Sequence, residues 1–100
     1  MVIVAEVRFS FAEVHSVIEP YLKVSPLPGD VIRIGPYFHI DSLQNVRALT
    51  IYRFDSGNVE DATAFLRERY ASFAELPNVE CTIAPWMDGK EAIAKLDNAA

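Results

Sequence analysis

The stretch VIRIGPYFHID, residues 31–41, decides the fold of this chain because two kinds of side chain alternate along it. One set is apolar and consists of Ile32, Ile34, Phe38 and Ile40. The other set carries a guanidinium, a phenol and an imidazole, on Arg33, Tyr37 and His39. Successive side chains of a strand point to opposite faces of a sheet. The stretch therefore predicts a strand with one face in a core and a second, mixed face that is the candidate functional surface.

Gly35 and Pro36 interrupt this strand. A proline inside a strand indicates a sheet edge or a bulge, since it has no N–H to donate. A bulge at this point would change the direction in which Tyr37 and His39 project.

The flanking sequence supplies the other elements. Alternating apolar side chains predict further strands at residues 1–9, 46–54 and 79–86. Helical spacing predicts helices that begin at Ser10, Asn58 and Asp88, with Glu13 and Glu91 at capping-box spacing. Pro20 is expected to kink or end the first helix, and residues 25–30 are expected to form a loop.

The element order βαββαβ, with a trailing short helix, predicts the architecture. Two helical crossovers and one hairpin give a four-stranded antiparallel sheet with both helices on one face, an α+β ferredoxin-like fold in a single domain over residues 1–100. The side chains expected to face the helices are Ile3, Val7, Ile32, Ile34, Leu49, Ile51, Val79 and Ile83. Those expected on the open face are Val2, Val4, Glu6, Arg8, Arg33, Tyr37, His39, Ala48, Thr50, Tyr52, Glu80, Thr82 and Trp86.

This open face carries more apolar area than a monomer usually exposes. We therefore expect a homodimer in which two open sheet faces pack together into a closed β-barrel. The polar side chains would then line a cleft or form hydrogen bonds, because unpaired buried charge is costly.

Composition narrows the function classes. The net charge of −5 argues against a nucleic-acid partner, which requires clustered Lys and Arg. Cys81 is the single cysteine, so neither an internal disulfide nor a cysteine-based metal site is expected. No cofactor motif, signal sequence or membrane span is recognisable, and we expect a cytoplasmic protein that binds neither metal nor membrane.

The chain resembles the dimeric α/β-barrel superfamily, and more closely an uncharacterised bacterial domain family within it. Gly35, Tyr37 and His39 in the second strand carry this resemblance, together with the segment from Pro85 to Ala92. Gly35–His39 is one residue longer than the pattern of that family. The resemblance implies the fold and the dimer but no established activity. Other branches include cofactor-free monooxygenases, muconolactone-isomerase-like enzymes and haem-binding proteins, whose signatures do not stand out in this sequence.

His39 is the candidate catalytic residue, because imidazole readily exchanges a proton near neutral pH. Tyr37 and Arg33 are candidates for positioning a small ligand, and Tyr52 and Trp86 for stacking on it. The alternative is that His39 lines a packed interface, that the charged groups form cross-strand ion pairs, and that the aromatic rings pack between subunits.

Three functions remain open at this point. The first is an enzyme, a cofactor-free monooxygenase or isomerase, that acts on a small aromatic or polyketide-like molecule. The second is a non-catalytic homodimer that binds a small acidic or aromatic ligand or serves only as a structural assembly. An RNA-binding domain shares the βαββαβ order, but the acidic charge and the absence of an aromatic residue on the open face of the first strand disfavour it.

Overall fold

The computed structural model describes residues 1–22 and 27–99, except for the side chains of Leu22 and Ala99. The predicted loop includes Ser25 and Pro26, which lie outside the described residues. The strands are β1 (Val2–Ser10), β2 (Val31–Ile40), β3 (Asn45–Phe54) and β4 (Glu80–Trp86). The helices are α1 (Val14–Leu22), α2 (Val59–Arg69), α3 (Ala71–Ala74) and α4 (Gly89–Ala99), and a short 3-10 turn, Phe11–Glu13, precedes α1.

The strands form one antiparallel sheet in the order β2-β3-β1-β4. Helix α2 packs on β1 and β4, α3 packs on β4, and α1 packs against α3. We call the sheet face covered by these helices the helix side and the opposite face the open face. The predicted α+β architecture with a four-stranded antiparallel sheet is confirmed, and the arrangement fits a ferredoxin-like fold.

Two of the three predicted helix starts are confirmed. The side-chain oxygen of Asn58 accepts the Asp61 backbone N–H at 2.8 Å, and Asp88 accepts that of Glu91 at 2.8 Å. The Ser10 cap is wrong, because Ser10 is still the last residue of β1 and its side chain caps nothing. Helix α1 also continues past Pro20, as far as Leu22.

The core lies between the sheet and the helices. Its buried side chains on the sheet include Ile3, Ala5, Val7, Phe9, Val46, Ala48, Thr50, Tyr52 and Phe54. The predicted helix-facing side chains of β1, Ile3 and Val7, are confirmed. Those of β3, Leu49 and Ile51, are wrong, because both lie on the open face. The physical reason is that Leu49 and Ile51 alternate in phase with Arg47 and Arg53. Burying that face would bury two guanidinium groups.

A bulge in β2 explains why some of its side chains lie on the face opposite to the predicted one. Ile34 pairs with Ile51 and Tyr37 pairs with Leu49, so Gly35 and Pro36 together oppose one residue of β3. The extra residue reverses the alternation. Tyr37 and His39 therefore lie on the open face, as predicted, but they share it with Ile32 and Ile34. Phe38 and Ile40 lie on the helix side, as predicted, whereas Arg33 lies there contrary to prediction.

A group of tyrosines occupies the core beneath the helices. The hydroxyl oxygens of Tyr52 and Tyr70 are 2.7 Å apart, and both side chains are buried. Burial raises the pKa of Tyr70 above its ordinary value and that of Tyr21 to about 12. The Tyr21 hydroxyl is buried and has no hydrogen-bond partner among the described residues. The two hydroxyls of Tyr52 and Tyr21 therefore contribute differently to stability.

Replacing Tyr52 and Tyr21 by phenylalanine is expected to change the stability of the protein differently. Tyr52→Phe removes a buried hydrogen bond and should lower the free energy of unfolding by roughly 1 kcal/mol. Tyr21→Phe removes a buried hydroxyl that has no partner among the described residues, and it should leave stability unchanged or raise it slightly. Urea unfolding followed by circular dichroism measures both. A Tyr21→Phe variant that is the less stable of the two would contradict this assignment.

Candidate functional site

The open face is organised as parallel rows of side chains that cross the sheet from β2 to β4. The strand register aligns these rows. In the order β2, β3, β1 and β4, they are Ile32, Arg53, Val2 and Trp86; Ile34, Ile51, Val4 and Ala84; Tyr37, Leu49, Glu6 and Thr82; and His39, Arg47, Arg8 and Glu80. The first two rows are apolar except for the exposed Arg53, and the charged side chains of the other rows lie toward the opposite end of the strands.

The apolar end of this face is incompletely covered. Trp86 is 63% exposed and Tyr37, beside the last apolar row, is 59% exposed. Ile51 and Val4, at the centre of the sheet, are half-buried by their neighbours. Contiguous apolar side chains of this kind on a sheet face are typical of a surface that packs against another molecule.

The charged end forms an open cleft of about 530 Å³. Its lining residues are Arg8, Phe9, Ser10, His39, Asp41, Asn45, Val46, Arg47, Asn78 and Glu80. Most of them project from the open face at the ends of the strands. The volume falls within the range of small-molecule sites, about 300–1,000 Å³.

Two ion pairs set the electrostatics of the cleft. Arg8 and Arg47 are directly opposite each other on β1 and β3, an arrangement that is repulsive unless each charge is compensated. The Arg47 Nε atom donates to the Glu6 carboxylate, which is mostly buried. Arg8 lies 3.6 Å from Glu80, and both side chains are largely exposed. The Arg47 side chain is itself more than half exposed, but its partner carboxylate is not, whereas the Arg8–Glu80 pair is longer and exposed on both sides and is the weaker of the two.

His39 lies at the rim of the cleft, next to the β2–β3 turn. Asp41 organises this turn, because its Oδ1 atom accepts the backbone N–H groups of Leu43 and Asn45, each at 2.9 Å. These hydrogen bonds, chiefly the one from Asn45, hold the pKa of Asp41 below its ordinary value. Asp41 thus brings a fixed negative charge to the side of the cleft where the exposed His39 imidazole is located.

The five predicted site residues do not form one site. Tyr37 and His39 are neighbours on the open face of β2. Trp86 shares that face but lies on the opposite edge strand, level with Ile32 and roughly 20 Å along the strands from the His39 row. Arg33 and Tyr52 are opposite each other on the helix side, and Tyr52 is buried in the core. The predictions that Arg33 and Tyr52 contribute to an open-face site are therefore wrong.

Sequence reasoning missed Arg47 as the arginine of this surface. Arg47 pairs with His39 across the hairpin, and a short hairpin places residues of matching phase on the same face. The alternation of Arg47, Leu49, Ile51 and Arg53 contained this signal. The cross-strand ion pairing expected among the charged groups of the open face is found between Arg8 and Glu80.

The single thiol and the carboxylates of the described residues are the other groups capable of chemistry, and neither forms a site. Burial raises the pKa of the Cys81 thiol, which makes it a poor nucleophile. Within residues 1–22 and 27–99, no three His, Cys, Asp or Glu side chains are gathered in a way that could hold a metal ion. None of the described helices is both long and apolar enough to cross a membrane.

Comparisons of this chain with protein-family models, with curated proteins and with solved structures returned no match.

Proposed function

We propose that this protein is a homodimer of the dimeric α/β-barrel type that binds a small acidic aromatic molecule between its two sheets. The observation that carries the proposal is the division of the open face into an apolar end and a charged cleft. The apolar end serves assembly and the charged cleft serves the ligand.

The apolar rows support the dimer. A two-fold axis parallel to the strands would bring the apolar rows of one copy against those of the other, and each cleft against its counterpart. Each apolar side chain that is removed from water contributes roughly 1.5–3 kcal/mol relative to full exposure. Several half-buried residues, including Val4, Ile34 and Ile51, are available to contribute this free energy.

Arg8 supports an acidic ligand. Its guanidinium is loosely paired with Glu80 and lines the cleft, so it can turn to a ligand carboxylate and bind it with two parallel hydrogen bonds. Leu49 and Tyr37, in the adjoining row, offer an apolar and aromatic surface to a ring attached to that carboxylate. Arg47 remains paired with Glu6 and keeps the second positive charge in place.

Benzoate is the probe that tests the ligand proposal, with uncharged benzamide as its control. We expect benzoate to shift the amide NMR signals of residues 8, 39 and 47, and benzamide to bind at least about tenfold more weakly. Arg8→Gln should weaken benzoate binding roughly tenfold, since it removes a charge-assisted contact. Arg53→Gln changes an arginine at the other end of the same face and should bind benzoate as the parent chain does.

Two results would contradict the ligand proposal. One is equal binding of benzoate by the Arg8→Gln and parent proteins. The other is the absence of binding by benzoate and by larger aromatic acids, which would favour the alternative of a purely structural homodimer.

A catalytic role for His39 stays a prediction. His39→Ala distinguishes the two roles once a substrate is known, because a residue that only lines the cleft can be replaced with little loss of kcat.

A further inference from the structure

Helix α4 leaves an apolar stripe uncovered. Ile93 and Leu96 lie one turn apart on it and are 62% and 69% exposed. A Cβ atom added at Gly89, where α4 begins, would meet nothing within 4 Å. The radius of gyration is 15.1 Å, against about 13 Å for a compact chain of this length. Among the described residues, α4 does not pack on another helix or strand as α2 and α3 do, and its apolar stripe is in water.

The helix side of β2 is a second uncovered apolar surface. Phe38 and Ile40 are 58% and 55% exposed, although they pair with Ala48 and Val46, which are buried on the same side. The helices that pack on the sheet contact β1 and β4, and β2 lies at the far edge. Phe11, whose N–H donates to the Gln44 carbonyl in the turn between β2 and β3, is also half exposed. We call Phe11, Phe38 and Ile40 the β2 patch.

Helix α4 cannot reach the β2 patch of its own chain. Strands β4 and β2 are the two edges of the sheet, separated by three spacings, or roughly 14 Å. Only Met87 and Asp88 separate β4 from α4. Trp86 is level with Ile32, at the end of β2 away from Phe38 and Ile40.

We propose that the apolar stripe of α4 docks on the β2 patch of a second copy of this chain, and that the contact is reciprocal. Helix α4 has 11 residues and is therefore about 16 Å long, enough to lie across the exposed end of a strand. The exposed apolar side chains of the two surfaces offer about 500 Å² per copy, and the reciprocal contact about 1,000 Å², the lower limit for a specific interface. This contact depends on neither the ligand cleft nor the open-face interface.

Disulfide cross-linking between two single-cysteine proteins tests this contact. In a Cys81→Ala background, one protein carries Leu96→Cys and the other Phe38→Cys, both at exposed positions that the fold tolerates. After mixing and mild oxidation, we expect a species of two-chain mass that contains both variants. Its yield should be about tenfold above controls, because docking raises the local thiol concentration.

Matched controls identify the surface. Asn98→Cys lies on the opposite side of α4 and should not link to Phe38→Cys, and Leu96→Cys should not link to Glu68→Cys on α2. Equal yields in all pairs, or no mixed species, would overturn the proposal. So would a doubly substituted chain, Phe38→Cys with Leu96→Cys, that closes its disulfide within one chain. The cross-link should persist in proteins that bind no benzoate, which separates this contact from the ligand proposal.

Discussion

In a Leu96→Asp background, which removes the α4 contact, an Ile51→Asp variant is expected to be monomeric at micromolar concentrations at which the parent Leu96→Asp chain is a dimer. Ile51 lies on the central strand β3 in the second apolar row, beside Ile34 and Val4. Face-to-face packing would bury it at the middle of the interface, where residues contribute most to affinity. A carboxylate at this position loses its water without gaining a partner, which should cost about 3 kcal/mol, or roughly a 150-fold weaker Kd.

Sedimentation velocity over a range of concentrations measures this change, and circular dichroism checks that the variant is folded. Ala64→Asp introduces the same charge at an exposed position of α2 and should leave the dimer unchanged. An Ile51→Asp protein with the parent Kd would show that the open face is not the interface. A parent chain that stays monomeric at high concentration would contradict the homodimer itself.

A Gly35→Ala variant is expected to lose about 3 kcal/mol of stability. The φ angle of Gly35 is +100°, in a region that L-residues rarely adopt. A Cβ atom there would lie 2.9 Å from the Leu49 carbonyl oxygen and 3.0 Å from the Tyr37 nitrogen. Both are backbone atoms of the hairpin, so they cannot move aside as a flexible side chain would. The bulge that places Tyr37 and His39 on the open face therefore requires glycine at position 35.

Gly57→Ala is the matched control for this prediction. Gly57 also has a positive φ, +92°, but nothing lies within 4 Å of an added Cβ. This variant meets only the backbone strain and should lose about 1 kcal/mol. Urea unfolding compares the two proteins, and equal losses would mean that the close approach at Gly35 is relieved cheaply. If the Gly35→Ala protein folds, benzoate titration reports whether Tyr37 and His39 have kept their positions.

Patterns between residues close together in sequence were sufficient to predict the strands, the helices and part of the core. Alternation placed β1 with Ile3 and Val7 inward, and the polar residues Asn58 and Asp88 marked the starts of α2 and α4. These features depend on side chains close together in sequence. The Ser10 cap failed because pairing with Asn45 keeps Ser10 in the sheet, and that pairing is a long-range contact.

The sequence by itself determined the order of strands and helices, the phase of β1 and the presence of an irregularity at Gly35 and Pro36. Both faces of β3 carry large apolar side chains, and the sequence marks the solvated face only through Arg47 and Arg53; the tertiary structure buries the other face. It also decided that Arg33 leaves the candidate site, since one extra residue in β2 reverses the alternation. The tertiary structure also forms the cleft. Strand register aligns four residues from different strands in one row, namely His39, Arg47, Arg8 and Glu80.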